Sequence, residues 1–456
     1  MDETLNISIP GFVLDEGIQK NEILKKVRNY CGWRQDTFPG SQPVSLNQQK
    51  LESCIGRNTY VACEKTDGIR LLLYAASRRV FLIDRNQQVN VVNMTLPSTY
   101  WFTIVSIQEH FINNNETSVT ENDNTKDLNF SSLNKELVNL NPNNEQHMTY
   151  FQQNTLLDGE LVKDTFSIDD QKLTILRYLV YDCISIERDE TIKLLPLLER
   201  LKNAYLKVIK PKILYDRIIK KFFGEMKQIK SDPFEIYIKD FFEVTDVPAI
   251  LNFSKRLPHL SDGIIFTPLH LPYIPGTCPQ LLKWKPPHLN TADFAAMFYS
   301  ESDEYDSPIF LELLVGIRGV RASVNCFCAP VGPLYQYLID EFRVYRTSGQ
   351  ILECFYDPNV VYYKPTKTHN GAIAWGEPLI AVQGGWVVER IRTDKNTPND
   401  INTVNRVFES IRDGISSDVL INTINLYHKS GKKSVAEYCN LPDFVKKFQS
   451  SLLREN

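Results

Sequence analysis

Glu64-Lys65-Thr66-Asp67-Gly68-Ile69-Arg70 joins two apolar runs, Thr59-Tyr60-Val61-Ala62-Cys63 and Ile69-Arg70-Leu71-Leu72-Leu73-Tyr74-Ala75. Both runs are rich in strand formers, and Asp-Gly between such runs is a hairpin signal. The plain reading is a β-turn with an exposed lysine. By average residue usage Lys-x-Asp-Gly arises by chance in roughly one chain in ten of this length. Chemically, it offers a lysine at the rim of a sheet. Desolvation and nearby cations can lower the pKa of such a lysine and free an amine nucleophile.

Composition bounds the use of that lysine. With 456 residues the chain has room for two or three domains, and 43% hydrophobic with 23% charged residues is ordinary for a globular protein. No apolar run approaches the ~20 residues that span a bilayer, so no membrane association is expected. Met1-Asp2-Glu3-Thr4 is acidic and does not read as a secretory signal. Nine cysteines are scattered, with only Cys326-x-Cys328 close together, which predicts reduced thiols rather than a zinc site or disulfide framework. Fifty-one basic against 55 acidic residues leave a net charge of −4. Proteins that live on duplex nucleic acid are usually basic, so contact with a polynucleotide is expected through a local patch or an end.

Outward from Lys65, residues 1–50 read as an N-terminal extension with one helix. Ile18, Ile23, Leu24 and Val27 recur at helical spacing before the Phe38-Pro39-Gly40-Ser41-Gln42-Pro43 break. Arg79 to Ile83 reads as a buried strand ending in Asp84-Arg85. From Asn113 to Asn154 the chain turns polar and reads as a solvated, mobile insertion. Thr155 to Val162 and Leu176 to Asp182 are strand-like. Residues 193–230 form one or two helices with 11 Lys/Arg and three Asp/Glu; the bland reading is a solvated face, and the functional one a patch for RNA or a phosphorylated partner. Further strands follow at Phe234 to Lys239, Ser261 to Phe266 and Leu281 to Lys285. Beyond Pro286-Pro287, five short strands (Ala292–Tyr299, Ile309–Ile317, Ala322–Cys328, Ile351–Tyr356, Gly385–Ile391) predict a small barrel of OB type. Stripes at Val404, Val407, Phe408, Ile411 and at Ile421, Ile424, Leu426, Tyr427 predict a helical tail. The fold class is therefore α+β. Residues 1–286 form a domain of antiparallel sheets with helices, and residues 287–456 a barrel domain with C-terminal helices.

The candidate chemistry spreads along this framework. Acidic Asp-Gly steps recur at 67–68, 158–159 and 262–263, and Glu160 and Asp262 are candidates for a hard divalent cation. Lys283 and Lys285 alternate on a strand with Trp284 between them, which suits nucleotide phosphates or, more blandly, an edge strand guarded by lysines. Trp386, Arg390, Arg392, Asp394 and Lys395 crowd into ten residues, and arginine suits bidentate phosphate contact.

Taken together these motifs resemble the covalent nucleotidyltransferases. Lys65-Thr66-Asp67-Gly68-Ile69-Arg70, Leu82-Ile83-Asp84-Arg85, Asp158-Gly159-Glu160, Arg177 to Asp182, Asp262 to Phe266, Leu282-Lys283-Trp284-Lys285-Pro286 and Arg390-x-Arg392-x-Asp394-Lys395 stand in that superfamily's order. Within it the chain resembles the mRNA capping guanylyltransferases, most closely the separate guanylyltransferase subunit of fungi. The resemblance implies a nucleotidyltransferase domain and an OB-fold domain that close on GTP. It implies that Lys65 forms a lysyl-N–GMP adduct, passed on to the 5′-diphosphate end of nascent RNA as a GpppN cap. Carried over by motif, Arg70 and Glu160 hold the ribose, Arg85 lies near sugar or phosphate, and Tyr181 stacks on guanine. Asp262 binds Mg²⁺ or Mn²⁺, and Lys283 and Lys285 reach the α-phosphate. Lys239 assists at base or phosphate, Asp293 matches an acidic family position, and Arg392, Asp394 and Lys395 orient the pyrophosphate.

The implied partners are RNA, the phosphorylated carboxy-terminal repeats of RNA polymerase II and a separate RNA triphosphatase subunit, since no His-Cys-x-x-Gly-x-x-Arg loop is present. An apolar face of the barrel domain is the expected triphosphatase dock, and the basic 193–230 segment one possible dock for the repeats. The implied compartment is the nucleus. Two alternatives remain at this level: an ATP-dependent polynucleotide ligase of the same superfamily, and a non-catalytic scaffold.

Overall fold

Lys65 lies near the end of the strand Tyr60–Thr66, and Ile69–Ala76 begins after two intervening residues, yet these strands do not pair with each other. Tyr60–Thr66 hydrogen-bonds to Ser261–Pro268 and Phe242–Glu243, whereas Ile69–Ala76 lies between Arg79–Ile83 and Thr155–Ile168. The expected hairpin is instead a crossing from one sheet to another. Its local chemistry explains why Asp-Gly serves both purposes. Asp67 N donates to Leu260 O, and Gly68 N donates to Glu160 Oε1 at 3.2 Å. A Cβ on Gly68 would stand 2.5 Å from Leu161 O, so the close approach admits only glycine.

The computed structural model describes residues 7–115, 140, 143–168, 171–223, 232–304, 306–412 and 414–428. It divides into two units: residues 1–44, 53–284 and 424–456, and residues 45–52 and 285–423. In the first, a seven-stranded sheet runs Phe12–Val13, Val89–Val92, Arg79–Ile83, Ile69–Ala76, Thr155–Ile168, Gln171–Ser185, Glu235–Ile238. Only its last pair is parallel. A five-stranded sheet runs Phe242–Glu243, Tyr60–Thr66, Ser261–Pro268, Thr277–Trp284, Gln42–Ser45.

Burial on both faces of the larger sheet explains why its strands read as continuous apolar runs rather than alternating ones. Leu71, Leu73 and Ala75 join a core with Tyr178, Val180, Val208 and Ile209. Leu72, Tyr74 and Ala76 meet Ile23, Leu24, Val27 and Cys31 of the helix Ile18–Cys31 on the opposite side. Ile18, expected in that helix's apolar stripe, is 81% exposed because it opens the helix ahead of the packed turns. The helix stops at Gly32, whose φ of 73° closes it in the left-handed region.

Of the polar insertion expected over 113–154, residues 116–139 and 141–142 lie outside the described residues. Its described flanks belong to a helix, Thr99–Asn115, and a short 3₁₀ turn, Glu145–Tyr150. In the basic 193–230 segment, helical turns run from Leu197 to Phe223, and residues 224–231 lie outside the description. Two of its cations are not a solvated face at all. Arg200 is buried against Asp182, and Lys212 is buried between Asp216 and Asp232.

The second unit is a five-stranded sheet in the order Val320–Ala322, Ile309–Ile317, Thr291–Ser300, Ile351–Lys364, Ile380–Ile391. The segment 326–329 bridges Ile309–Ile317 and Ile380–Ile391. Cys328 N donates to Leu311 O and Ala329 N to Trp386 O, which closes the sheet into a barrel. Ala322–Cys328 was expected as one strand, but regular pairing ends at Ala322, and Asn325 turns with φ 57°. The helix Pro333–Tyr345 lies between the third and fourth strands in sequence, and Leu338, Ile339 and Phe342 cover the core. Glu312, 0% exposed, is held by Lys367 at 2.6 and 2.7 Å, Tyr299 at 2.7 Å and Ser323 at 2.5 Å. The helix Ile401–Arg412 packs Val404 into the same core, with Val407 and Ile411 beside it. The helix Ser417–His428 follows, but its stripe differs from the expected one: Leu420 and Ile424 are buried and Leu426 is 72% exposed. The eight described cysteines are free thiols.

Candidate active site

The bulge between Ser261 and Ile264 sets the site's first contact. Thr66 pairs with Ser261 and Glu64 with Ile264, so Lys65 alone faces two residues, Asp262 and Gly263, on the other strand. Asp262 sits in that irregular step, and Lys65 Nζ donates to its Oδ1 at 2.6 Å. Both side chains are 21% exposed, which leaves the pair reachable from solvent.

The second wall comes from the larger sheet. Arg70 stands opposite Glu160 and Leu72 opposite Asp158 in the antiparallel ladder, so Arg70, Asp158 and Glu160 share one face. Asp158, 0% exposed, takes the Arg70 guanidinium bidentately, Nε at 3.1 Å and Nη2 at 2.7 Å. Tyr273 OH donates to the same carboxylate at 2.6 Å. The rings of Phe38 and Tyr181 lie 5.5 and 5.6 Å from the guanidinium. Burial disfavours the Arg70 charge, but Asp158 outweighs it and holds the guanidinium well above its ordinary pKa.

Between these walls is a cavity of about 140 Å³, lined among others by Lys65, Arg70, Arg85, Glu160, Tyr181 and Lys239. Six of the sequence-derived site residues thus meet in one cleft of the first unit. Asp262 joins them through Lys65. Lys283 is the cross-strand partner of Ile265, which lines the cavity, so their side chains share a face. Trp284 is buried on the other face, as the alternation requires. Lys285 does not continue the strand, which ends at Trp284, because the two prolines that follow offer no N–H to a ladder.

Lys239 is less available than its sequence context implies. Its ammonium is buried, donates to Glu64 Oε1 at 2.6 Å and also meets Thr66 Oγ1. Burial would raise the Glu64 carboxyl, but Lys239 and His259 overcome it and lower the pKa to about 2. His259 in turn bonds Asp164 Oδ1 through Nδ1 at 2.7 Å, and Arg177 clamps Asp164 and Glu235. Burial raises the Glu160 pKa, an effect that Lys239 and Lys65 partly offset. Burial, helped by Glu64, pushes Asp240 to about 7.

Among the described residues there is no group of three or more His, Cys, Asp or Glu side chains able to hold a metal alone. Mg²⁺ can bind through one or two carboxylates together with water and substrate phosphates. Asp262 and Glu160, both interacting with Lys65, are a donor set of that size.

In the second unit, register builds a separate charged cluster. Asp293 pairs with Glu353 and Glu353 with Arg390 across three strands. Arg390 Nε donates to Glu353 Oε2 at 2.5 Å, and Arg392 Nη1 reaches Asp293 at 3.1 Å and Glu353 at 3.4 Å. Arg392 also binds Asp394 bidentately at 2.8 and 2.7 Å, and Lys395 meets Asp293. The bonds from Arg392 lower the Asp394 pKa to about 2.

Residues 5–117 and 111–287 match the family described as mRNA capping enzyme, catalytic domain, and residues 290–421 match mRNA capping enzyme, C-terminal domain. The chain belongs to the mRNA capping enzyme family. Among its relatives in that family, the mRNA-capping enzyme subunit alpha of Schizosaccharomyces pombe is 28% identical over 447 residues, covering 94% of this chain and 91% of its own. The subunit alpha of Kluyveromyces lactis is 29% identical, covering 84% of this chain and 77% of its own. The mRNA-capping enzyme of Mus musculus is 27% identical, covering 92% and 55%. Among solved structures, mycobacterial DNA ligase D complexed with ATP and MES shares 12% identity over 79% of this chain and 96% of its own. Its TM-score of 0.31 is too low to carry an inference.

The residues that hold the site residues in place do not stand out in the motifs. Asp158 was visible inside Asp158-Gly159-Glu160, but its burial was not. Tyr273, Glu64, His259 and Glu353 carry no local signal, since each matters only through a partner distant in sequence.

Proposed function

We infer that this protein is an mRNA guanylyltransferase that carries GMP on Lys65. The observation that carries the reading is Lys65 at the cavity beside Arg70, Glu160 and Tyr181, in a chain matched by both capping-enzyme domains. In the first step the Lys65 amine attacks the α-phosphorus of GTP. The bond to the β-phosphate oxygen breaks, pyrophosphate leaves, and the amine sheds a proton. In the second, a β-phosphate oxygen of 5′-diphosphate RNA displaces the amine, the N–P bond breaks, and the cap is formed.

Phosphoryl transfer of this kind needs mostly alignment and cations where charge develops. Lys65 Nζ donates to Asp262 Oδ1, which puts that carboxylate within reach of the proton the amine must lose. A Mg²⁺ or Mn²⁺ ion held by Asp262 and Glu160 would supply charge neutralisation at the α-phosphate. We assign Arg70 and Glu160 to the ribose, Tyr181 to the guanine face, Arg85 and Lys239 to the cavity's polar lining, and Lys283 and Lys285 to the phosphates. Arg392, Asp394 and Lys395 are assigned to the leaving pyrophosphate, and Arg390 and Asp293 to binding the nucleotide. The relatives named subunit alpha support a separate partner subunit, for which an RNA triphosphatase is our assignment. Phosphorylated polymerase repeats as a second partner and the nucleus as the compartment complete the proposal. Among the described residues no helix is long and apolar enough to cross a membrane.

The test is incubation with α-labelled GTP or ATP and a divalent metal, with Lys65→Ala alongside. GTP-only labelling that survives alkali, is released by acid as a phosphoramidate is, and disappears in the variant supports the reading. ATP-only labelling points to a ligase, and no labelling points to a scaffold.

A further inference from the structure

We propose that Tyr273 is a positioning residue for nucleotide binding, holding Arg70 through Asp158 and at the same time pinning the cavity wall at Ser41. This rests on the reading of Arg70 and Glu160 as the ribose pair.

Tyr273 lies between the strands Ser261–Pro268 and Thr277–Trp284, and its ring is only 6% exposed. Its backbone N–H is tied to Lys193 O at 2.8 Å, which fixes where the ring enters. The phenol oxygen then does two things at once. It donates to Asp158 Oδ2 at 2.6 Å and accepts from Ser41 N at 2.9 Å. Ser41 lines the cavity, and the preceding Gly40 packs so closely that a Cβ there would stand 2.8 Å from Arg70 Nη2. One hydroxyl therefore couples the Phe38–Ser41 stretch to the carboxylate that carries Arg70.

The guanidinium geometry gives this coupling a chemical purpose. Asp158 takes Nε and Nη2 of Arg70, and no hydrogen bond among the described residues uses Nη1. A planar fork gripped on one edge presents its remaining donors in a fixed direction. Arg70 as donor and Glu160 as acceptor, direct partners across the ladder, match a vicinal diol, whose hydroxyls both accept and donate. Without the Tyr273 hydroxyl, Asp158 loses one of three donors in a fully buried position and the Ser41 amide loses its acceptor. Both the fork and the wall then loosen, while the side chains that touch the nucleotide remain.

The test is equilibrium titration of GTP and of 2′,3′-dideoxy-GTP into the Lys65→Ala protein, with and without Tyr273→Phe. The expected result is GTP binding weakened about tenfold by Tyr273→Phe, as for loss of a bond to a charged group, with the dideoxy nucleotide weakened less than about twofold. The selectivity ratio comes from one preparation, so a fraction of unfolded protein cancels from it. Equal weakening of both nucleotides, or of neither, overturns the proposal. GMP labelling of Lys65 in the otherwise native chain is scored separately. Its absence sinks the guanylyltransferase reading and leaves the binding ratio to judge Tyr273.

Discussion

Replacing Glu64 by glutamine tests whether the buried charges behind Lys65 are held as the structure implies. The substitution keeps shape and an oxygen acceptor but removes the negative charge facing Lys239, whose ammonium is buried and 2.6 Å away. A carboxyl pKa lowered from 4.5 to about 2 corresponds to about 3 kcal/mol of native-state stabilisation. Breaking a buried pair on one side typically costs about 3–5 kcal/mol, because the surviving charge is stranded. At about 2–4 °C per kcal/mol that predicts a Tm lower by about 6–20 °C.

The pH dependence has a definite sign. Because the Glu64 pKa is depressed on folding, its contribution is full above the ordinary carboxyl range and disappears as pH falls toward 2. His259 behaves oppositely. Burial lowers its pKa, but the hydrogen bond to Asp164 and the nearby Glu64 charge raise it above 6.5, so its contribution is full below that value and lost as pH rises through the folded pKa. The stability gap between wild type and Glu64→Gln should therefore be widest near pH 5–6, narrow steeply below about pH 4, and narrow modestly above pH 7. Thermal melts across pH 3–8 measure it. A gap under about 1 kcal/mol at pH 6, or one unchanged down to pH 3, would refute the arrangement of Glu64, Lys239 and His259 described above.

Two other outcomes follow from single contacts. Gly68→Ala drives a methyl to 2.5 Å from a backbone carbonyl that is itself fixed in a sheet, so about 1–3 kcal/mol of stability and most Lys65 labelling should be lost; a urea midpoint equal to wild type would contradict the close approach. Lys367→Met strands Glu312 in the barrel interior and should cost about 3–5 kcal/mol. The double variant with Glu312→Met should recover most of that in a double-mutant cycle, and additive losses would count against the pair.

What the sequence disclosed, and what it concealed, divides along the range of the interactions. The strand runs, the helix stripe at Ile23, Leu24 and Val27, and four of the five barrel strands were readable because their signals are local or periodic. Even the shared face of Lys283 and the cavity residue Ile265 is consistent with simple alternation. Pairing was not readable: Asp67-Gly68 carries the same local chemistry whether the chain turns back on itself or passes to another sheet. Nor was the state of Lys239, since nothing near it in sequence announces that Glu64 and Thr66 hold its ammonium. Acceptors such as Asp158 and Glu353 stayed hidden because burial is a property of the finished packing.

The crossing at Asp67-Gly68 has a mechanical consequence. Lys65 and Arg70 belong to different sheets yet are five residues apart, so their Cα atoms can never be separated by more than about 17–18 Å of taut chain. The backbone thus acts as a caliper across the cleft, with the Lys65 amine on one jaw and the Arg70 guanidinium on the other. Any nucleotide seated between them is gauged against a span written into the primary structure, which no rearrangement of surrounding loops can lengthen.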